Sequence, residues 1–331
     1  MSIECEEDMN IQVKNLCKTY KVHQKSPGLK ASIHALFHRE FHDIEAVNNI
    51  SFTLRTGEIV GFIGPNGAGK TTTLKMLSGL LYPTSGTIHI GPYTPFKREK
   101  KFLQALGFVM GQKGQLWWDL PALDSYDLLI DIYECDRKST MTYIYELAEK
   151  LDIHTKLKQP VKMLSLGQRM KAELIGAILH KPSIVILDEP TIGLDITSSR
   201  EIRKIIKEEA AQREMMIIIS SHILDDIEEL CKKVIIINNG KIVYNDLLNN
   251  CYQKYVFQKQ IQIKFVEPVQ REALLYPESI TTYSPHEVSW EVDRNRIANI
   301  SYEIMQNFRI DDITISEISL RKVIEFITKE V

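Results

Sequence analysis

The run GPNGAGKT at residues 64–71 carries the clearest chemical meaning in this 331-residue chain. It lies between an apolar run typical of a buried strand and a run that favours a helix, which completes the G-x-x-x-x-G-K-[ST] pattern. Its glycines let backbone N–H groups wrap a phosphate, its lysine adds a positive charge, and its threonine hydroxyl can bind Mg²⁺. A glycine-rich turn that merely joins strand to helix is disfavoured, because every position of the pattern fits in the right context. The residues predicted to bind nucleotide here are Gly64, Pro65, Asn66, Gly67, Ala68, Gly69, Lys70, Thr71 and Thr72.

A second chemical signal is the run IVILDE at residues 184–189, an apolar strand that ends in two acids. In a parallel sheet the carboxyl ends of the strands face the ligand crevice. Asp188 is therefore predicted to reach the magnesium ion, and Glu189 to address the water that attacks the terminal phosphate. The alternative is an acidic pair that merely faces solvent at the end of a strand. The phosphate-binding pattern at residues 64–71, called the P-loop below, disfavours that alternative.

The run LSLGQRM at residues 164–170 offers a hydroxyl, a glycine and an amide where a helix is predicted to begin. Ser165 follows Lys70 by 95 residues, which places it on a separate helical excursion from the sheet. A serine at this place is an ordinary N-cap. The start of a helix with a hydroxyl and a glycine is also a ready anion site, so Ser165, Gly167 and Gln168 are candidate phosphate ligands.

The order of strand-like and helical runs predicts two domains. Apolar strands alternate with helical runs from residue 58 to about residue 245, which is typical of an α/β domain with a mainly parallel sheet. After that point, alternating strands are followed by two helical runs. We therefore expect a nucleotide-binding domain at residues 1–248, with a mostly helical part at about 113–181, and a small α+β accessory domain at 249–331.

Composition limits the partners and the compartment. The formal net charge of -2 provides no field that would gather nucleic acid or anionic lipid, so no nucleic-acid partner is expected. The five scattered cysteines form no C-x-x-C pair and indicate free thiols in a reducing compartment. No apolar run approaches the ~20 residues that a membrane span needs. A cytoplasmic protein is expected, and another polypeptide must supply any membrane spans.

The order of the motifs GPNGAGKTT, LSLGQ, IVILDEPTIGLD and SSH resembles the nucleotide-binding subunit of an ABC transporter. The resemblance implies a RecA-like parallel sheet core, an antiparallel β subdomain and a helical subdomain that carries the signature. It also implies ATP and Mg²⁺ as ligands and ATP hydrolysis as the activity. In that family the signature, commonly LSGGQ, binds the ATP held by the P-loop of a second copy. This chain has Leu166 where the common form has glycine.

The resemblance also implies roles for single residues. Tyr20 resembles the aromatic residue that stacks on adenine, and Asp195 resembles the residue that lines the dimer seam. His222 resembles the switch histidine that contacts the terminal phosphate. Gln112 resembles the glutamine that senses Mg²⁺ and the attacking water; the spacing is one residue longer than usual, so Gln115 is the alternative. The implied catalytic residues are Glu189, His222, Lys70 and Gln112, and the implied residues at Mg²⁺ are Thr71, Gln112 and Asp188.

The same resemblance implies the partners. Two copies, or this chain and a related ATPase subunit, would close over two MgATP molecules and reopen after hydrolysis. A separate transmembrane permease would hold the dimer at the inner face of the cell membrane. The run QLWWDLP at 115–121 and the C-terminal appendage resemble the drug-type exporter group, which favours export; a polysaccharide-type exporter is an alternative. Trp117 and Trp118 fit an interface with the permease, with core packing as an equal alternative.

Residues 21–45 form a long connection whose apolar side chains recur at helical spacing. The spacing predicts a helix, which either packs on its own domain or touches the permease or the inner leaflet. The apolar positions are Leu29, Ile33, Leu36, Phe37 and Phe41, and the charged and histidine positions are Lys30, His34, His38, Arg39 and His42.

Two functions outside transport compete with this one. A soluble ABC protein that acts on ribosomes usually carries two cassettes in one chain, whereas this chain has one P-loop and one signature. A DNA-repair or chromosome ATPase of the same superfamily places a long coiled coil between those motifs, and 95 residues leave no room for one. A transport ATPase is the preferred function.

Overall fold

The computed structural model divides the chain into two compact units, Met1–Asp246 and Leu247–Val331. None of the helices in the described part of the chain is long and apolar enough to cross a membrane. The residues that the structure describes are 9–23, 41–110, 114–255, 258–318 and 320–329.

A six-stranded sheet in the order β5-β6-β7-β3-β8-β9 is the centre of the first unit. The pairs β3/β7, β3/β8, β5/β6 and β6/β7 are parallel, and β6 and β7 are buried along their whole length. Helices and loops that cover both faces of a parallel sheet explain why these strands are continuous apolar runs. The predicted α/β architecture is therefore confirmed. The six strands are β3 Ile59–Ile63, β5 Leu106–Met110, β6 Ile184–Asp188, β7 Met216–Ser220, β8 Lys233–Asn238 and β9 Lys241–Leu247.

A three-stranded antiparallel sheet in the order β2-β1-β4 packs against the same core. Its strands are longer than the short runs in the sequence indicate, because the ladder between β1 and β2 continues from Ile11↔Leu54 to His23↔Phe41. The helix predicted over 21–45 is wrong at both ends of that segment, since Phe41 and His42 lie in β2 and pair with β1. Leu29, Ile33, Leu36 and Phe37 lie outside the described residues. The three strands are β1 Ile11–His23, β2 Phe41–Leu54 and β4 Ser85–Ile90.

Seven helices of the first unit are described, and three of them form its helical part. Tyr126 is fully buried there, and its hydroxyl donates to the Ala172 carbonyl oxygen at 2.9 Å, which fixes α3 against α5. The helices are α1 Lys70–Leu77, α2 Lys100–Gln104, α3 Ala122–Tyr133, α4 Arg137–Lys150, α5 Leu166–Ile178, α6 Ile196–Arg213 and α7 Leu224–Leu230.

The second unit is an antiparallel sheet in the order β11-β12-β10-β13 with a helix on one face. Trp290 is completely buried in its core, and its indole N–H donates to the Leu275 carbonyl oxygen at 2.9 Å. Strands and helices occur together here, as the sequence predicts. The elements are α8 Leu248–Tyr255, β10 Gln258–Phe265, β11 Ile280–Ser284, β12 Glu287–Asp293, α9 Ile297–Asn307, β13 Ile310–Glu317 and α10 Leu320–Lys329.

Candidate nucleotide-binding site

A cavity of about 570 Å³ opens where β3, β6 and β7 end, and the glycine-rich loop forms one wall of it. Gly69 has a φ of 105°, and a Cβ there would lie 2.3 Å from the Ala46 carbonyl oxygen, so only glycine fits. At Gly67 nothing lies within 4 Å of the place a Cβ would take. The loop is thus packed tightly behind Gly69 and open at Gly67, which leaves backbone exposed for a close approach of phosphate.

Lys70 begins α1 and lies within the loop. Its ammonium group donates to the carbonyl oxygens of Gly64 at 2.7 Å and Pro65 at 3.1 Å. Burial lowers the pKa of Lys70, and the negative charges of Glu189 and Asp188 oppose that shift. A cation held here by neutral carbonyls can turn to an anionic ligand in the cavity with little loss of hydrogen bonding.

Asp188 ends β6 and is buried beside two hydroxyl groups. The Thr71 hydroxyl donates to its Oδ1 at 3.2 Å, and the Ser220 hydroxyl donates to the same oxygen. Carboxylate and hydroxyl oxygens are the hard ligands that Mg²⁺ takes in nucleotide sites, where water and substrate phosphates complete the octahedron. Within the described ranges no group of three His, Cys, Asp or Glu could hold a metal ion. The donor set fits an ion that is shared with a bound phosphate.

Glu189 follows Asp188 in the left-handed region, with a φ of 57°, which is uncommon for a residue with a side chain. Its N–H donates to the Ser220 carbonyl oxygen at 2.9 Å, so the end of β7 holds this conformation. Its Oε2 lies 2.5 Å from Nδ1 of His222. Strained backbone conformations of this kind occur at functional sites. The ends of two neighbouring strands therefore bring an acid and a histidine together at the cavity.

A buried carboxylate that the sequence did not single out supports this corner of the cavity. Asp226 on α7 is fully buried and accepts hydrogen bonds from the Ser221 hydroxyl at 2.9 Å and from the Thr191 hydroxyl. Arg203 pairs with it at 2.9 Å. Asp226 thus bonds to Ser221, which precedes His222, and to Thr191, which follows Glu189 by two residues. One buried carboxylate therefore holds the chain next to both catalytic candidates.

Ser165 starts α5 in a reciprocal cap. Its hydroxyl accepts the Gln168 N–H at 3.3 Å, and the Gln168 side-chain oxygen accepts the Ser165 N–H at 3.1 Å. A Cβ on Gly167 would lie 2.5 Å from the Ser198 hydroxyl, so the starts of α5 and α6 touch. Asp195 caps α6 by accepting the Ser198 N–H at 2.9 Å. Signature and seam residues therefore form one surface, in which Ser165 and Asp195 are exposed and Gly167 is buried.

Most of the predicted site residues fall into two groups, and among the described ones Gly64, Pro65, Ala68 and Tyr20 belong to neither. Tyr20 lies on β1, half-exposed, with the Lys18 ammonium 5.3 Å from its ring centre. Gln112 lies in 111–113, outside the described residues. Lys75 also lines the cavity, although it is not among the residues predicted from the sequence. Its position one helical turn after Thr71 is the feature that could have indicated it. The predicted residues that line the cavity are Asn66, Gly67, Gly69, Lys70, Thr71, Thr72, Asp188, Glu189 and His222, and those at the starts of α5 and α6 are Ser165, Gly167, Gln168 and Asp195.

A second groove, of about 460 Å³, lies in the same unit and is largely apolar. Gly114 and Gln115 form part of its wall, together with Ile132 and Tyr133 of α3. Gln115, the alternative to Gln112, is not among the residues that line the first cavity, within the part of the chain that is described. Two tryptophans follow Gln115 in the chain and are 41% and 53% exposed, so the core-packing alternative for them is disfavoured.

The parallel sheet, the glycine-rich loop and the acids at the strand ends define a P-loop ATPase. Family models match the chain twice, as "ABC transporter" over residues 47–192 and as "EvrA-like ABC transporter, C-terminal domain" over residues 257–316. Among curated proteins, the ABC transporter ATP-binding protein NatA of Bacillus subtilis (strain 168) is 32% identical, over 67% of this chain and 95% of NatA. The bacitracin transport ATP-binding protein BcrA of Bacillus licheniformis is 37% identical, over 67% of this chain and 72% of BcrA.

Solved structures show the same fold. An ATP-binding subunit of an ABC transporter is similar with a TM-score of 0.62 and 23% identity, over 74% of this chain and 92% of that chain. A dimeric cassette, MJ0796 bound to ADP and Pi, is similar with a TM-score of 0.60 and 23% identity, over 72% of this chain and 98% of that chain. The chain belongs to the ATP-binding proteins of ABC transporters. It binds nucleotide and is an ATPase whose hydrolysis is coupled to transport.

Proposed function

We propose that this chain dimerises on ATP and powers export through a separate membrane permease. The observation that carries this proposal is the separation of the predicted site residues into a cavity and an exposed signature surface. The cavity holds the means to bind and attack a triphosphate. The signature surface holds phosphate donors and no reactive group, so it has a use only against a nucleotide bound by another chain.

The cap at Ser165 leaves that residue ready for such a contact. Its oxygen accepts the Gln168 N–H, which leaves its own hydroxyl proton free to donate outward. The residue also lies at the positive end of α5, where an anion is stabilised by about 0.3–1 kcal/mol at an exposed site. A terminal phosphate on the P-loop of a second copy fits both features.

Hydrolysis follows from positioning and charge. Glu189 is held so that its carboxylate can take a proton from the attacking water, with His222 fixing its direction. The Lys70 ammonium and the opposing Ser165 stabilise the charge that develops on the transferred phosphoryl group. Thr71 and Asp188 are the residues that would hold Mg²⁺, which neutralises phosphate charge when it is bound. Tyr20 as the adenine contact and Gln112 as a sensor of water and Mg²⁺ stay predictions.

The groove at Gly114 and Gln115 is the place proposed for the permease. It is largely apolar, and Trp117 and Trp118, which follow Gln115 by two and three residues in the chain, are exposed aromatic side chains of the kind that dominate interfaces. Such a contact would hold the chain at the inner face of the cell membrane. Export of an antibiotic-like molecule is favoured by the relatives: BcrA is named for bacitracin transport, and LnrL of Bacillus subtilis (strain 168), 33% identical over 60% of this chain, for linearmycin resistance.

The test is affinity purification of the tagged chain from detergent-solubilised membranes of its native host, followed by mass spectrometry. We expect a polytopic partner in stoichiometric amount, and its loss on joint substitution of Trp117 and Trp118 by alanine. The control carries alanine at Tyr302 and Met305, which are exposed on α9 of the second unit. Recovery of ribosomes, or of no membrane protein, would contradict the proposal.

A further inference from the structure

Glu173 is a buried carboxylate on α5 that the nucleotide chemistry does not use. It lies about two helical turns after Ser165 and is 3% exposed. Its oxygens accept the backbone N–H of Gln115 at 2.8 Å and of Leu116 at 3.4 Å. One side chain of the signature helix therefore holds two successive N–H groups of a segment 57 and 58 residues earlier in the chain.

The segment that Glu173 holds is pressed against it. A Cβ on Gly114 would lie 2.2 Å from Oε1 of Glu173, so the backbone here packs directly against the carboxylate. The Gln115 side-chain amide donates to the Glu173 carbonyl oxygen at 3.4 Å. Gly114 and Gln115 are also residues of the apolar groove. The Glu173 carboxylate thus binds directly to main-chain groups of the segment that forms the groove wall.

The choice of a charged residue needs an explanation, because an apolar side chain would fill the same space. Burial raises the pKa of Glu173, while the two N–H groups and the charge of Arg169 oppose that shift. A buried carboxylate is costly unless its oxygens are bonded. Two successive backbone N–H groups bonded to one buried side chain fix the segment at two adjacent points, so this tether is stiff. Stiffness of this kind suits a segment that must follow a helix.

A second attachment lies one turn earlier on the same helix. The Arg169 guanidinium is 5.3 Å from the centre of the Trp118 ring, within the range of a cation–π contact. Arg169 and Glu173 are four residues apart and so share one face of α5. Residues 114–118 are therefore fastened to the signature helix at both ends.

We propose that Glu173 is a positioning residue that makes residues 114–118 move with α5, so that closure at the signature is transmitted to the groove. The proposal rests on the function proposed above, because it takes the start of α5 to contact ATP and the groove to contact the permease. The tether is a contact of main chain with a buried side chain.

The experiment is hydrogen–deuterium exchange of the full chain, measured by mass spectrometry with and without MgATP. All samples carry Glu189→Gln, so that the nucleotide persists. In this parent, MgATP should slow exchange at 165–170 and at 114–118 by about tenfold each. With Glu173→Gln added, the peptide at 165–170 should still slow, and the peptide at 114–118 should change by less than about twofold.

The matched control is Glu209→Gln, which makes the same substitution at a carboxylate that is 2% exposed. Glu209 pairs with Arg213 at 3.0 Å and with the Tyr143 hydroxyl, away from the tethered segment. This variant should respond to MgATP like the parent at both peptides. A merely structural effect of losing a buried carboxylate would affect both variants alike.

The outcomes separate the two proposals. Equal slowing at 114–118 in the Glu173 and Glu209 variants would overturn the tether and leave the proposed function standing. A parent that shows no MgATP response at 165–170 would overturn the proposed function and with it the inference. If the Glu173 variant does not fold, exchange in the parent is measured across a titration with MgATP. Different midpoints for the slowing at 165–170 and at 114–118 would overturn the tether, and equal midpoints would support it.

Discussion

The phosphate cavity and the start of α5 are both predicted to bind the same ligand, and they are built in opposite ways. In the cavity, Lys70 and Asp188 are buried; Lys70 donates to carbonyl oxygens of its own loop, and Asp188 accepts from Ser220 at the end of β7. At the start of α5, Ser165 and Gln168 bond to each other and are otherwise turned outward. The first region is held by strand ends that pair in one sheet, whereas the second is held by a local cap and by its contact with the start of α6.

This difference shows what each region lacks. The cavity is open on one side and is lined by Lys70, Asp188, Glu189 and His222. The signature surface has donors and helix charge, and its acid, Asp195, is engaged in capping α6. We propose that the two are complementary halves of a site, which a second copy of the chain would bring together.

The strongest way to break the cavity is Glu189→Gln. Without the carboxylate as a proton acceptor, the hydrolysis rate should fall about 10²–10⁴-fold. ATP binding should be retained, because the loop and Lys70 are unchanged. Steady-state phosphate release and a nucleotide titration measure the two quantities. A parent-like rate would refute the role of Glu189, and Glu208→Gln, at a surface ion pair on α6, is the control.

The signature surface is tested by Ser165→Arg. A bulky cation at the start of α5 should lower turnover by at least about 10²-fold through loss of a transition-state donor and steric block of the seam. Nucleotide binding at the P-loop should stay within twofold of the parent, since Ser165 does not line the cavity among the residues described.

Ser165→Asp separates the seam from the cap. Aspartate keeps the N-cap of α5, so stability should be unchanged while a negative charge opposes phosphate binding. Asp136→Ser exchanges the cap of α4, where Asp136 accepts the Ser139 N–H at 2.9 Å, and should leave turnover unaltered. If both Ser165 variants hydrolyse ATP like the parent, the signature has no part in the site.

Lys70→Met should weaken nucleotide binding on the order of 10- to 100-fold, because hydrogen bonds from a charged group contribute about 1.5–3 kcal/mol. Lys75→Met should cost less, since Lys75 lies one turn further along α1. Calorimetric titration with ATP measures both. Equal losses for the two lysines would show that bulk charge, rather than the loop geometry, sets the affinity.

The smallest effect is expected at the far end of the signature helix. His180 stacks on Tyr133 with ring centres 3.8 Å apart, and burial lowers its pKa to about 4. The unfolded chain binds a proton near pH 6.5, so stability from neutral His180 is present at pH 7 and lost as the pH falls toward 4. The free energy of unfolding should drop by about 1.4 kcal/mol per pH unit in that window.

His180→Gln removes this titration. Urea unfolding at pH 7.5 and 5.5 should show a loss in the parent that is about 1 kcal/mol larger than in the variant. Nucleotide affinity should be the same in both proteins, because His180 is not among the described residues that line the cavity. Equal acid sensitivity would mean that other groups set the pH dependence.

How much could be predicted depends on how local each signal is. The loop at 64–71 and the acids at 188 and 189 were accessible because strand, motif and helix are consecutive in the chain. The pairing of His23 with Phe41 was not, because helical spacing over 21–45 competes with a ladder set by distant partners. Glu173 was inaccessible for the same reason, since its partners lie 57 and 58 residues away.

The central claim, that each site combines the cavity of one chain with the signature of another, is tested most directly by mixing two inactive variants. At an ATP concentration that Lys70→Met leaves unbound, this variant and Ser165→Arg should each inactivate both sites of the proposed homodimer. In a mixed dimer one site has an intact loop and an intact signature. An equal mixture should therefore recover about a quarter of the parent hydrolysis rate, since half of the dimers are mixed. If the parent is active and the mixture of variants recovers no activity, the account is contradicted. The whole site would then lie within one chain.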